Sequence, residues 1–177
     1  FKKPLEPSSW NENLSDDLIK KIDKLSQPEK LPQNEVEKID FNFLENSKRI
    51  LFSIGQNNYS DDLKSKLLKT ASDKNIPVFA DGASSLRFNK KVNESIIANY
   101  LEIVQLDQFV KTNKPDLLIH FGNAPTSKNM LEYFEKFDGT KILVNEFGLW
   151  KDPSRTANGI VFSEYVEFLN QFEENFN

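Results

Sequence analysis

The chain has 177 residues, 38% hydrophobic and 28% charged, and its 23 Lys and Arg against 27 Asp and Glu give a net charge of −4. That balance supports one ordinary domain with a sizeable core, disfavours global disorder, and lacks the basic excess of a nucleic-acid binder. With no cysteine and one histidine, His120, the chain excludes a disulfide scaffold, Cys-ligated metal, a thiol nucleophile and a multi-His metal site.

No apolar run is long enough to span a bilayer and no signal peptide opens the sequence, so the expectation is a cytoplasmic, soluble protein without a membrane partner. The sequence opens at Phe1 and its single methionine is Met130, which reads as a piece excised from something longer.

Residues 1–48 read as an irregular, partly helical N-terminal arm punctuated by Pro4, Pro7, Pro28 and Pro32. Within it, Ser15 starts a helix with Leu18, Ile19, Ile22 and Leu25 on one face, and a second short helix is expected near 35–47. From residue 49 to 177 strands alternate with helices. Ile50–Ile54 is a short apolar run ending at Gly55, and Ser60, Asp61 and Asp62 open a helix carrying Leu63, Leu67, Leu68 and Ala71. Pro77–Asp81 is a second strand entering a loop, and 94–112 is expected to be helical with Ile97, Leu101, Val104 and Phe109 facing the core. Leu117–Phe121 is a third strand ending at Gly122, followed by a helix from about Ser127 with Leu131 and Phe134. Lys141–Asn145 and Gly159–Phe162 are the last strands, and Ser163 is expected to cap a final helix using Val166, Leu169, Phe172 and Phe176. Strand–helix alternation at about 30-residue spacing gives βαβ units. The expected fold is α/β, a Rossmann-like three-layer sandwich with a parallel sheet and helices on both faces.

In such a sheet ligands sit at the carboxyl ends of the strands. Three ends therefore matter: Gly55–Asn58, Asp81–Ser85 and Gly122–Lys128. Asp81 lies 26 residues after Gly55, where an acid would hold a ribose hydroxyl, but Asn57 and Ser60 stand where a dinucleotide fingerprint needs glycine. The plainer reading of Asp81 is a turn or cap residue. The third end is more informative. Thr126, Ser127 and Lys128 lead into a helix, and free backbone N–H groups, two hydroxyls and a lysine suit an anion such as a carboxylate. It is no Walker loop, because Ser127 and Asn129 replace the residues flanking that motif's lysine. The plainer reading is an ordinary capped helix with an exposed lysine. His120 reads as a hydrogen-bonded core residue, and 146–155 as a structural loop with Trp150 and an Arg155 available to an acid. No triad, metal cluster or thiamine diphosphate motif is visible: Ala80 precedes Asp81-Gly82 where that motif has glycine.

Three blocks carry a resemblance: Pro77–Asp81 with Ser84-Ser85-Leu86-Arg87, Pro115–Lys128, and Asp152-Pro153-Ser154-Arg155. In this order and spacing they resemble the central domain of 2-succinyl-5-enolpyruvyl-6-hydroxy-3-cyclohexene-1-carboxylate synthase, the MenD family. Phe1–Leu5 is similar to the segment that joins that family's first and second domains. The resemblance implies a transferase of menaquinone or phylloquinone biosynthesis. That enzyme decarboxylates 2-oxoglutarate and adds the succinyl-semialdehyde unit to isochorismate, using thiamine diphosphate with magnesium or manganese. It also implies a mainly architectural central domain that holds no cofactor, metal or catalytic residue and is inactive alone. Its partners are N- and C-terminal domains of the same polypeptide in a dimer or tetramer. The family's loop lysine, here Lys128, helps hold substrate carboxylate beside Ser127 and Asn129. Some relatives carry arginine where this chain has Asn129. The alternative is a middle domain of another thiamine enzyme that binds FAD or NAD.

Overall fold

Five short strands make one sheet in the computed structural model, which describes residues 39–87, 94–112, 114–146 and 152–176. They are β1 (Ile50–Ile54), β2 (Val78–Ala80), β3 (Leu117–Phe121), β4 (Thr140–Asn145) and β5 (Gly159–Phe162). Every pairing is parallel and the order is β2-β1-β3-β4-β5. All five positions of β1 and of β3 are buried. Strands covered on both faces have no polar side to show, which is why these two read as apolar runs, each interrupted by one buried polar residue, Ser53 and His120. The order reverses between β1 and β3, so the crevice of a doubly wound sheet belongs at their carboxyl ends.

The helices are α1 (Asp61–Asp73), α2 (Tyr100–Ile103), α3 (Asp107–Thr112), α4 (Lys128–Lys136) and α5 (Tyr165–Asn175). One face of the sheet packs Phe52, Ile54, Ile119, Phe121 and Val144 against Leu63, Leu67 and Ala71 of α1 and Phe168, Leu169 and Phe172 of α5. The other packs Leu51, Phe79 and Leu118 against Tyr100 of α2, the neighbouring Val104, and Met130, Tyr133 and Phe134 of α4. Helices on both faces thus give the three layers that the strand–helix alternation implies. Ser60 starts α1 as expected, its hydroxyl accepting the Leu63 N–H at 3.2 Å. Lys66 and Thr70 of α1 both bind Glu173 of α5, at 2.6 and 2.5 Å, tying the two helices of that face together.

Several expectations are corrected. The single helix over 94–112 is two short ones, and Ile96 instead forms a parallel bridge with Val78. The β-branched Ile96 extends beside β2 because Val78 donates its N–H to Ser95 O and accepts from Ile97 N–H. Ser163 does not cap α5: its hydroxyl donates to Glu164 O, and Glu164 is the flanking residue. Val166 is 40% exposed rather than core. Of the helix expected near 35–47, residues 42–44 form one 3-10 turn. Beside it Phe41 is buried, its ring 5.6 Å from that of Phe168, and Ile39 N–H donates to Gln171 Oε1. The rest of the expected arm, residues 1–38 with the helix at Ser15, and Trp150 lie outside the described residues.

Candidate functional site

The three strand ends singled out by sequence meet. Gly55 N–H donates to Phe121 O at 2.8 Å and Asn123 N–H to Gln56 O at 3.1 Å, so the loops after β1 and β3 are laced directly to each other. A Cβ built on Gly55 would lie 1.8 Å from Asn123 O, and one on Gly122, whose φ is +84°, would lie 2.2 Å from the Tyr59 hydroxyl. Gly55 is glycine so that this chain's own loop can approach. In a dinucleotide site that space receives the pyrophosphate; here the Asn123 carbonyl fills it.

Two tyrosines complete the filling. The Tyr59 hydroxyl donates to Gly55 O or Phe121 O, 3.0 and 3.1 Å away. The Tyr165 hydroxyl receives Asn57 Nδ2–H at 3.2 Å and the Gly122 N–H. Burial first, then the Glu146 charge, pushes the Tyr165 phenol up to about 12. Burial likewise raises Tyr59. Both are neutral hydrogen-bonding plugs. Neither was singled out by sequence, because an isolated Tyr after a strand or at a helix start carries no pattern.

His120 is fully buried under α4, as expected for a core histidine. Its Nε2 lies 2.8 Å from Asn123 O, which fixes that nitrogen as the donor, and its Nδ1 lies 3.1 Å from Ser53 Oγ. Desolvation lowers its pKa to about 4 despite these hydrogen bonds. The neutral imidazole holds the β3 loop from beneath.

Asp81 is not presented to a ribose. It caps a short 3-10 turn, Oδ1 accepting Ala83 N–H at 2.9 Å, while Oδ2 accepts Thr126 N–H at 3.0 Å and the Thr126 hydroxyl at 2.8 Å. Burial raises its pKa, but these donors outweigh it and hold the carboxyl below the ordinary range. The turn-residue reading is the right one, with a long-range partner that sequence could not supply.

Ser127, Lys128 and Asn129 stand together at the start of α4, beyond the carboxyl end of β3. The Ser127 hydroxyl accepts no helix N–H, which leaves first-turn donors for another acceptor. The Lys128 side chain is 85% exposed, its Nζ 3.5 Å from Glu132 Oε1. An exposed pair of this kind holds its members weakly, so the ammonium remains available. The cluster can present a cation, a hydroxyl and backbone N–H groups to a carboxylate.

The described residues do not fit a metal–diphosphate site. Both Asp81 oxygens are already engaged, and no group of three or more His, Asp or Glu among the described residues could hold a metal. No described helix is long and apolar enough to cross a membrane.

Sequence reading missed a second buried cluster, away from this loop. Lys141 of β4 and Asp152 are both buried, with Nζ 3.5 Å from Oδ2. Asp152 also accepts N–H groups from Ser154, Thr156 and Ala157 and the Ser154 hydroxyl. Lys141 binds Ser154 Oγ, Thr156 Oγ1 and Phe134 O and lies 4.8 Å from the Phe134 ring centroid. The Asp-Pro-Ser-Arg block is thus a carboxylate-centred loop. Its available signal was a lysine opening the apolar run Ile142-Leu143-Val144.

Comparison with known proteins adds names to this geometry. No family model matches the chain. It is 26% identical over 187 residues to a 2-succinyl-5-enolpyruvyl-6-hydroxy-3-cyclohexene-1-carboxylate synthase of Haloquadratum walsbyi, covering 100% of this chain and 30% of that protein. The chain is similar to such synthases along its whole length. The Dechloromonas aromatica synthase is 26% identical over 170 residues, 93% of this chain and 30% of the relative. That of Bacillus cytotoxicus is 33% identical over 99 residues, 55% and 17%. The chain therefore spans 30% or less of the length of these synthases.

Proposed function

We propose that the chain is the central segment of a 2-succinyl-5-enolpyruvyl-6-hydroxy-3-cyclohexene-1-carboxylate synthase, with residues 1–48 as an interdomain arm and 49–177 as the Rossmann-like body. The observation that carries this is a match running the whole length of the chain against under a third of a named synthase. In this reading the intact protein is a thiamine diphosphate and magnesium- or manganese-dependent transferase of quinone biosynthesis. It joins the succinyl-semialdehyde unit of 2-oxoglutarate to isochorismate, works as a dimer or tetramer, and takes its cofactor from the domains on either side. The filled crevice between β1 and β3 supports an architectural role and speaks against an FAD or NAD site there.

The segment's chemical contribution is a carboxylate contact. Both substrates carry carboxylates, and a cation beside helix N–H groups stabilises such charge through charge-assisted hydrogen bonds. Lys128 supplies the cation, and Ser127 and the Asn129 side chain and N–H flank it. The test is steady-state kinetics of Lys128→Ala in the intact synthase. A loss of about 1.5–3 kcal/mol, roughly 10- to 150-fold in kcat/KM, is expected for one charged contact. Unchanged kcat and KM for both substrates refute the Lys128 role.

A further inference from the structure

Asp81 sits after β2 and Thr126 after β3, and β1 runs between those two strands. The carboxylate therefore reaches across the end of β1 to the chain two residues before Lys128. It is 5% exposed, and its two oxygens take three donors, two of them from Thr126. Thr126 is the last residue before the helix-start residue Ser127, so fixing its N–H and hydroxyl fixes where α4 begins. Beneath the same loop, His120 Nε2 donates to Asn123 O and Gln56 O accepts the Asn123 N–H. Of these fastenings, the one at Thr126 adjoins the lysine.

We propose that Asp81 is a positioning residue, which acts through Thr126 to hold the Ser127–Asn129 start of α4 in register for substrate carboxylate. This rests on the carboxylate reading of Lys128 given above and adds the group that makes it geometrically defined. An ammonium on a four-carbon stem is a mobile charge. The backbone N–H groups that share its anion are not mobile, and their direction is set by the loop. Asparagine cannot replace Asp81, because it offers one acceptor oxygen to three donors and turns an amide N–H toward another N–H.

The experiment is a variant set in the intact, cofactor-loaded synthase, read by kinetics and by hydrogen exchange of the 122–128 peptide. Asp81→Asn is expected to speed exchange of that peptide. It should also raise, at least fivefold, the KM of whichever substrate Lys128→Ala affects, with a smaller change in kcat. Thr126→Val removes the hydroxyl alone and keeps the Asp81–Ala83 bond, so it stays informative if Asp81→Asn folds poorly. It should move both readouts the same way, and Thr126→Ser should return KM to within twofold of the parent. If Asp81 acts on the anion site that Lys128 shares, Asp81→Asn combined with Lys128→Ala raises KM by less than the product of the two single effects, whereas a general structural effect multiplies. Parental KM in Asp81→Asn and Thr126→Val despite faster exchange, or multiplied effects in the double variant, overturns the positioning role and leaves the Lys128 reading standing. An unchanged KM and kcat in Lys128→Ala itself overturns that reading and the positioning role with it.

Discussion

Replacing Asp152 by alanine strands a buried ammonium, and the cost follows from the partners. The Lys141 and Asp152 side chains are 1% and 0% exposed, and removing one member of such a pair costs about 3–5 kcal/mol because the remaining charge is neither paired nor hydrated. The two members are not equivalent. Without Lys141, the Asp152 carboxylate keeps the N–H groups of Ser154, Thr156 and Ala157 and the Ser154 hydroxyl. Without Asp152, Lys141 keeps neutral acceptors, the Phe134 ring and the weaker pull of the Glu135 charge, and the loop loses its hub. Asp152→Ala should therefore destabilise by about 3–5 kcal/mol and Lys141→Met by about 1–2 kcal/mol. With about 2.1 cal/mol/K of unfolding entropy per residue, the 139-residue unit from Ile39 to Asn177 should lose about 10–17 °C in Tm in Asp152→Ala. Thermal unfolding followed by circular dichroism, with urea midpoints, measures both. Burial already lowers the Lys141 pKa against the pull of Asp152, and losing Asp152 lowers it further. The unfolded chain then binds more protons than the folded one over a window below the ordinary lysine pKa, so Asp152→Ala should regain stability as pH rises toward 10. Equal costs for the two substitutions, or a deficit in Asp152→Ala that does not shrink with pH, would refute this account.

Two further outcomes follow from the loop at the sheet's carboxyl edge. As the single histidine, His120 gives one readable imidazole resonance, and it should titrate near 4. Its folded pKa lies below the unfolded value, so stability is full above about 6.5 and declines as pH falls toward 4, by about 3 kcal/mol from this group. A midpoint near 6.5 by NMR would contradict the buried neutral form. Gly55→Ala puts a methyl 1.8 Å from Asn123 O, forcing backbone to move. An urea-midpoint loss of about 3 kcal/mol or more is expected, and a loss under 1 kcal/mol would mean the two loops are not locked together.

Much of the architecture is legible in residue order. Runs such as Leu117–Phe121, ended by glycine, mark strands buried on two faces. Ser60 with Asp61 and Asp62 marks a helix start because capping is local chemistry, completed within three residues. Locality also explains the misses. The 94–112 pattern has helical spacing, yet Ile96 pairs with Val78 through backbone groups 18 residues away, a competition that spacing does not record. Ser163 has the right identity for a cap, but its hydroxyl turns to Glu164 O.

The candidate site divides along the same line. Sequence by itself determined the fold class, the three loops that meet at the sheet's carboxyl edge, and Ser127, Lys128 and Asn129 as one cluster, because neighbours in sequence at a helix start are neighbours in space. Only the tertiary structure decided what the other polar residues do. Asp81 finds Thr126 across a strand, Gly55 makes room for Asn123, and Lys141 meets Asp152 under α4. The first two join segments distant in the chain and depend on the order in which the sheet sets its strands, and the third folds the loop after β4 back onto that strand. A buried carboxylate or ammonium is recognisable as a type from sequence, but its partner is fixed by packing.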